Sequence, residues 1–193
     1  SIRRQRQMCI RDRQRCIRKN LCRGKYKEKV RPVLINSWEA CYFDFTGEDI
    51  YHLAEQAKDL GIDMVVLDDG WFGSRNDDNS GLGDWKVNEK KLQGSLGDLI
   101  SRINALGVKF GLWFEPEMVN EDSDLYREHP DWAIQIPGRK PVKGRNQLLL
   151  DFSRKEVVSG ARSGKYRICK MGYEPKYGRS IFYDSRRTGQ CAV

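Results

Sequence analysis

Carboxylates and tryptophans follow the apolar runs of this chain, at the points where the predicted strands end. Asp68 and Asp69 come directly after the apolar run Met64–Leu67, and Trp38 and Trp113 follow two further runs. Parallel strands present their carboxyl ends at one edge of a sheet, and ligands bind there. We therefore expect these side chains to converge although they are far apart in the sequence.

This set of side chains suits a carbohydrate. Carboxylates accept hydrogen bonds from hydroxyl groups, and an indole ring stacks on the apolar face of a sugar. Two other interpretations fit the acid pair equally well, because adjacent acids after a strand also bind a divalent metal or cap a helix. The residues alone leave these alternatives open.

The elements that must position these residues alternate between strands and helices. Four short apolar runs, at 32–36, 64–67, 108–112 and 147–150, are separated by helical patterns. Thr46 and Asp49 form a capping-box-like start for one helix. This alternation predicts an α/β fold with a parallel sheet, which is either half of an eight-fold barrel or part of an open sheet.

The charge of the chain is uneven along its length. The net charge is +8, but residues 1–31 carry 13 basic and 2 acidic residues, 32–158 carry 14 and 23, and 159–193 carry 8 and 2. The basic character therefore belongs to the two ends, whereas the middle is acidic. An acidic middle argues against a nucleic-acid partner for the functional part of the chain.

The six cysteines indicate neither a metal site nor a disulfide framework. Five of them lie in the basic ends, only Cys41 lies in the middle, and no Cys-x-x-Cys pair occurs. No apolar stretch is long enough to cross a membrane, and no signal-peptide pattern is visible. We expect no metal or other cofactor, no membrane partner and a cytoplasmic location.

The two ends have no apolar period of their own. Residues 6–12 are nearly repeated at 13–19, and Met8–Arg13 resembles the translation of a transposon-end adapter used in sequencing libraries. We interpret residues 1–23 as a non-native or disordered basic segment. Past Ser159 the sequence is again basic and lacks an apolar period, so we expect residues 159–193 to be a disordered tail.

Residues 31–158 resemble the start of the catalytic barrel of a bacterial-type α-galactosidase of glycoside hydrolase family thirty-six. Several motifs that occur in one order carry the resemblance: Arg31–Ala40, Leu67–Gly73, Gly107–Met118, His129–Trp132 and Gly144–Gln147. The resemblance implies a partial (β/α)8 TIM barrel that contains the first four βα units, with irregular basic termini. It covers about two thirds of the chain, residues 24–158 forming the N-terminal half of the catalytic domain.

What the resemblance implies is an enzyme that hydrolyses terminal non-reducing α-D-galactosyl residues, with retention, from galacto-oligosaccharides such as raffinose and melibiose. The implied partner is a small galactoside, and full-length relatives are expected to be homo-oligomers. The sugar-binding residues that the resemblance implies are the acid pair Asp68 and Asp69, together with Trp113 and Arg145. Trp38, at the end of the first strand, completes the predicted substrate-binding set.

The nucleophile of the family lies in a Lys-Trp-Asp-Met-Asn-Arg motif, which is not present in frame. Retaining hydrolysis needs two carboxylates about 5 Å apart, so the absence of the nucleophile removes the mechanism. One possible choice of codons for residues 168–176 encodes Tyr-Val-Lys-Trp-Asp-Met-Asn-Arg when it is read from the second base. We therefore predict a frameshift ahead of Ile168 and an inactive chain with no catalytic residue in frame. The alternative is a non-catalytic galactoside-binding protein.

Overall fold

A computed structural model describes residues 2–22, 29–162 and 180–183 of the chain. The chain divides into two compact units, residues 1–33 and residues 34–193.

Most of the described part of the first unit, residues 2–21, is helical. Helix α1 spans Ile2–Cys16 and continues as a π-helical turn over Ile17–Leu21. The expectation of an irregular N-terminus is therefore wrong, because Arg, Gln and Met favour a helix even where no apolar stripe directs its packing. Ile10 and Ile17 remain about half exposed, at 53% and 49%.

The second unit is built on three parallel strands. These are β1 (Leu34–Asn36), β2 (Met64–Leu67) and β3 (Lys109–Trp113), with Leu34 opposite Met64 and Met64 opposite Lys109. All four residues of β2 are buried. The predicted strand is therefore confirmed, and its uninterrupted apolar run is typical of a parallel strand covered on both faces.

Helices connect the strands, as the periodicity of the sequence predicts. They are α2 (Trp38–Cys41), α3 (Gly47–Asp59), α4 (Glu89–Leu92), α5 (Leu96–Ala105), α6 (Asp124–Glu128) and α7 (Lys155–Arg162), with a 3-10 turn at Pro130–Trp132. Thr46 and Asp49 form the predicted capping box of α3. The buried face of α3 carries Ile50, Ala54 and Ala57, which join the core that surrounds β2.

The predicted fourth strand does not belong to the parallel sheet. Residues Gln147–Leu149 form β5, which pairs antiparallel with β4 (Met118–Asn120) in a separate two-stranded sheet. The expectation of four parallel βα units is corrected to three in the described part of the chain. An apolar run of this length predicts a strand, but its partner is set by contacts far away in the sequence.

The C-terminal part of the chain contains more structure than its composition predicts. Helix α7 continues past Ser159 to Arg162, and β6 (Ser180–Tyr183) pairs antiparallel with β3. The expectation of a disordered tail is therefore wrong for these residues, since the short run Ile-Phe-Tyr has high β propensity and β3 offers it an edge. The rest of the predicted tail, 163–179 and 184–193, lies outside the described residues.

Within the described ranges, no helix has the length and apolar character needed to cross a membrane.

The packing of α7 against Trp132 depends on a glycine. A Cβ atom built on Gly160 would lie 2.6 Å from a ring carbon of Trp132, which is only 6% exposed. We predict that Gly160→Ala destabilises the chain by about 1–3 kcal/mol, because a buried indole has little room to move.

Gly97 in α5 is the matched control, since its Cβ would meet only the Ser95 hydroxyl at 3.6 Å. Gly97→Ala should be neutral or stabilising by up to about 1 kcal/mol through helix propensity. Urea unfolding of both variants checks this pair. A Gly160→Ala variant as stable as the Gly97→Ala variant would contradict the packing described here.

Candidate functional site

The carboxyl ends of β1 and β2 are joined by side chains. Ser37 follows β1 and donates its backbone N–H to the Val66 carbonyl at 3.0 Å, while its hydroxyl accepts the N–H of Asp68 at 3.0 Å. The Asn36 amide donates to the Asp68 carboxylate. Asp68 itself is half-buried. These contacts hold one carboxylate at the edge of the sheet with part of its surface open.

Asn36 also connects this carboxylate to Trp38. Its side-chain oxygen accepts the Trp38 backbone N–H at 2.7 Å, so one amide fixes both predicted site residues. Asn36 is not among the site residues that the sequence predicts. The available signal was its place, a polar residue that ends an apolar strand directly before Ser37 and Trp38.

Asp69 points into the protein and not along the open edge. It forms a buried ion pair with Arg75, in which Nε donates to Oδ1 at 3.0 Å and Nη2 donates to Oδ2 at 2.8 Å. The two residues are 6% and 1% exposed. The Gly70 N–H donates to the same carboxylate at 2.7 Å. The adjacent acids Asp68 and Asp69 therefore occupy very different environments.

Arg75 ties the loop that follows β2 to the second sheet. Its Nη1 donates to the Asn120 side chain at 2.9 Å and to the Ser80 carbonyl at 3.0 Å. The Asn120 oxygen also accepts the Leu82 N–H at 3.0 Å. Sequence reasoning missed Arg75, because a single arginine in a polar loop carries no signal of burial.

Burial dominates the electrostatics of this network. It raises the pKa of Asp69 above its ordinary value, while the hydrogen bonds and charge of Arg75 act in the opposite direction. Burial also lowers the pKa of the nearby Lys91 ammonium, with the charges of Asp69 and Asp44 opposing the shift. The negative charge of Asp69 thus depends on the guanidinium beside it.

Trp113, at the end of β3, is half-buried in an aromatic cluster. Its carbonyl accepts the Trp71 indole N–H at 3.0 Å, and its ring lies nearly parallel to Phe72 at 6.4 Å between centroids. Trp85 is 5.9 Å away, and its buried indole nitrogen has no hydrogen-bond partner among the described residues. The cluster fixes Trp113 at the same edge of the sheet as Asp68.

The other two predicted residues are placed differently. Trp38 is half-buried, with its ring edge-on to Tyr42 and Phe43 at 5.2 and 5.0 Å. The Arg145 side chain is 74% exposed and its Nη2 lies 3.6 Å from the Asp78 carboxylate, whose other neighbour is Arg75 at 3.5 Å. The structure thus connects Arg145 to the loop after β2, and not directly to Asp68.

The metal interpretation of the acid pair finds no further support. No group of three or more His, Cys, Asp or Glu side chains with the arrangement of a metal site occurs in the described ranges. Asp69 is engaged by a guanidinium, which excludes it as a free ligand for a cation in this arrangement.

The fold and the edge of the sheet define the class of protein. Parallel strands separated by helices carry a carboxylate and two tryptophans at their carboxyl ends, which is the edge where ligands bind in (β/α) domains. The profile of the melibiase family matches residues 7–163. The chain therefore belongs to the melibiase family. The match includes residues 7–23. The non-native origin of these residues stays a prediction.

Similar proteins are α-galactosidases. The chain is 72% identical over 142 residues to the bifunctional α-galactosidase/sucrose kinase AgaSK of Mediterraneibacter gnavus, covering 74% of this chain and 15% of that protein. It is 55% identical over 140 residues to α-galactosidase AgaA of Geobacillus stearothermophilus, covering 72% of this chain and 19% of that protein. The chain thus spans less than a fifth of the length of these relatives.

Solved structures agree with the sequence comparison. The galactosidase domain of AgaSK superposes with a TM-score of 0.74 at 67% identity, covering 80% of this chain and 21% of that one. The GH36 α-galactosidase AgaB from Geobacillus stearothermophilus gives a TM-score of 0.75 at 48% identity, covering 79% and 21%. The fold is therefore that of part of a GH36 α-galactosidase, related to the TIM barrel.

The buried ion pair leads to a stability prediction. Arg75→Ala leaves the Asp69 carboxylate buried without its partner and should cost about 3–5 kcal/mol of unfolding free energy. Arg75→Lys keeps the charge but loses the bidentate contact, so it should fall between Arg75→Ala and the unaltered chain.

Arg127 is the matched control, because its ion pairs with Asp122 and Asp124 are exposed to solvent. Arg127→Ala should change stability little. Chemical unfolding of the three variants measures the difference. Equal stability of Arg75→Ala and Arg127→Ala would show that the buried pair does not hold the loop.

Proposed function

We propose that this chain supplies part of the galactose-binding site of an α-galactosidase, an enzyme that hydrolyses terminal non-reducing α-D-galactosyl residues with retention. The single observation that carries the proposal is Asp68, whose half-open carboxylate is held by Asn36 at the strand edge between Trp38 and Trp113. Galacto-oligosaccharides such as raffinose and melibiose are the proposed substrates.

The comparisons support this choice of sugar. Structures similar to the chain include Geobacillus stearothermophilus AgaA variants in complex with raffinose and with stachyose, at TM-scores of 0.73 and 0.74. A further AgaA structure holds 1-deoxygalactonojirimycin. For this chain the same ligands are an inference from similarity.

Within the proposed site, Asp68 is the principal acceptor for sugar hydroxyls. Asp69 already accepts hydrogen bonds from Arg75 and Gly70, which occupy most of the acceptor capacity of a carboxylate. Its contribution to a sugar is therefore smaller than that of Asp68. Trp113 and Trp38 offer ring surface, and Arg145 stands on an exposed loop from which it can reach a ligand.

The proposal places no catalytic residue in frame. The attacking and protonating carboxylates of a retaining glycosidase lie about 5 Å apart, and the family motif that carries the nucleophile is predicted to lie in another reading frame. The chain itself is therefore proposed to bind a galactoside without cleaving it. That property also defines the second candidate function, a non-catalytic galactoside-binding protein.

A small galactoside is the partner, and the acidic middle segment disfavours nucleic acid. A cytoplasmic location is part of the proposal, and homo-oligomeric full-length relatives are inferred from the resemblance.

Binding tests the role of Asp68. Asp68→Ala removes a charged acceptor of sugar hydroxyls, so the dissociation constant for 1-deoxygalactonojirimycin should rise by about tenfold or more. Asp68→Asn keeps the shape and should have an intermediate effect. Titration calorimetry on the purified chain measures both.

The control for this experiment is Asp59→Ala. Asp59 is exposed at the end of α3, on the side of the sheet away from the strand ends, so its removal should leave affinity unchanged. Equal affinity of the Asp68→Ala and Asp59→Ala variants would remove Asp68 from the site.

Turnover separates the enzyme from the binding protein. The chain as it stands should release no product from an aryl α-galactoside, because no nucleophile is in frame. A version in which the frame is restored ahead of Ile168 and the downstream domains are added should hydrolyse the same substrate with retention. If the restored enzyme binds galactosides but never cleaves them, the binding-protein candidate is favoured.

A further inference from the structure

Tyr42 holds a backbone conformation that side chains rarely adopt. It follows α2 with φ of 47° and ψ of −124°, and its N–H donates to the Trp38 carbonyl at 2.7 Å. Glycine would take this conformation without steric cost. Strained non-glycine residues of this kind concentrate at ligand-binding sites, where the surrounding structure imposes the conformation.

The strained backbone presents an aromatic ring to solvent. The Tyr42 residue is 53% exposed, and its hydroxyl donates to the Glu39 carboxylate at 3.0 Å. Its ring meets Trp38 edge-on at 5.2 Å. Among the Phe, Tyr and Trp side chains that the structure describes, only Tyr42 and Phe152 are exposed.

A short series of contacts connects this ring to the proposed galactose ligand. Tyr42 contacts Trp38, the Trp38 N–H donates to Asn36, and Asn36 donates to the Asp68 carboxylate. Tyr42 therefore lies at the outer rim of the same strand edge. The buried strand β2 and its core close the inner side of this edge, so a galactoside at Asp68 extends outward, into the solvent that the exposed Tyr42 also faces.

We propose that Tyr42 and Glu39 form a subsite for the sugar unit that is linked to the galactosyl residue. The proposal rests on the proposed function and names the part of the surface that recognises the leaving group. The exposed ring supplies a stacking surface for the apolar face of a pyranose or furanose. The Glu39 carboxylate keeps acceptor capacity for a hydroxyl after its bond to Tyr42.

Raffinose and galactose together test this subsite, because raffinose adds a disaccharide to the galactosyl unit. The unaltered chain should bind raffinose about fivefold more tightly than galactose in titration calorimetry. Tyr42→Phe keeps the ring and should retain most of this ratio. Tyr42→Leu and Tyr42→Gly remove the ring and should bring the ratio close to one.

Thermal unfolding of the same variants excludes a merely structural role. Tyr42→Gly relieves the backbone and should melt at a higher temperature than Tyr42→Leu, which keeps the strain. Loss of the raffinose preference in both, despite their different stability, supports the subsite. An unchanged ratio in Tyr42→Leu overturns it while the proposed function stands. Absence of binding of either sugar to the unaltered chain overturns the proposed function, and the subsite with it.

Discussion

The ion pair between Asp69 and Arg75 is the constraint on which the site depends. It joins the end of β2, the loop that follows it and, through Asn120, the second sheet. Burying two charges is costly, and burial raises the pKa of Asp69 while the hydrogen bonds and charge of Arg75 act in the opposite direction. Such a pair adds little net stability over an apolar contact. Its effect is to select one arrangement of the loop, since any other leaves a charge buried without a partner.

This constraint explains why two adjacent acids have different roles. Asp69 is turned inward by Arg75, so the preceding residue must face the strand edge, where Asn36 and Ser37 hold it. Gly70, directly after Asp69, permits the turn that follows the acid pair with φ of +93°, a conformation that a side chain would oppose. A Cβ at that position would also lie 3.0 Å from the Phe43 ring. The open carboxylate of Asp68 is therefore a consequence of how its neighbour is buried.

The sequence predicts those parts of the fold that local patterns determine. The strand at 64–67 and the capping box of α3 follow from spacing over a few residues, and the structure confirms both of them. The pairing of β5 with β4 could not be predicted, because the strand run has the same pattern whichever partner it takes. The placement of polar side chains at the strand ends was predictable from topology. The burial of Arg75 was not, because it depends on Asn120, 45 residues further along the chain.

The packing of α7 bears on the position of the predicted frameshift. Trp132 belongs to a motif shared with the family, and its ring leaves room only for a glycine at position 160. Val157, one turn earlier in α7, is completely buried. The residues of α7 up to Gly160 therefore fit the protein surface against which this helix packs. The family profile ends at residue 163. The predicted frameshift separates this helix from the nucleophile motif that residues 168–176 encode in another reading frame. The fit of Gly160 to Trp132 places this frameshift after Gly160 and before Ile168.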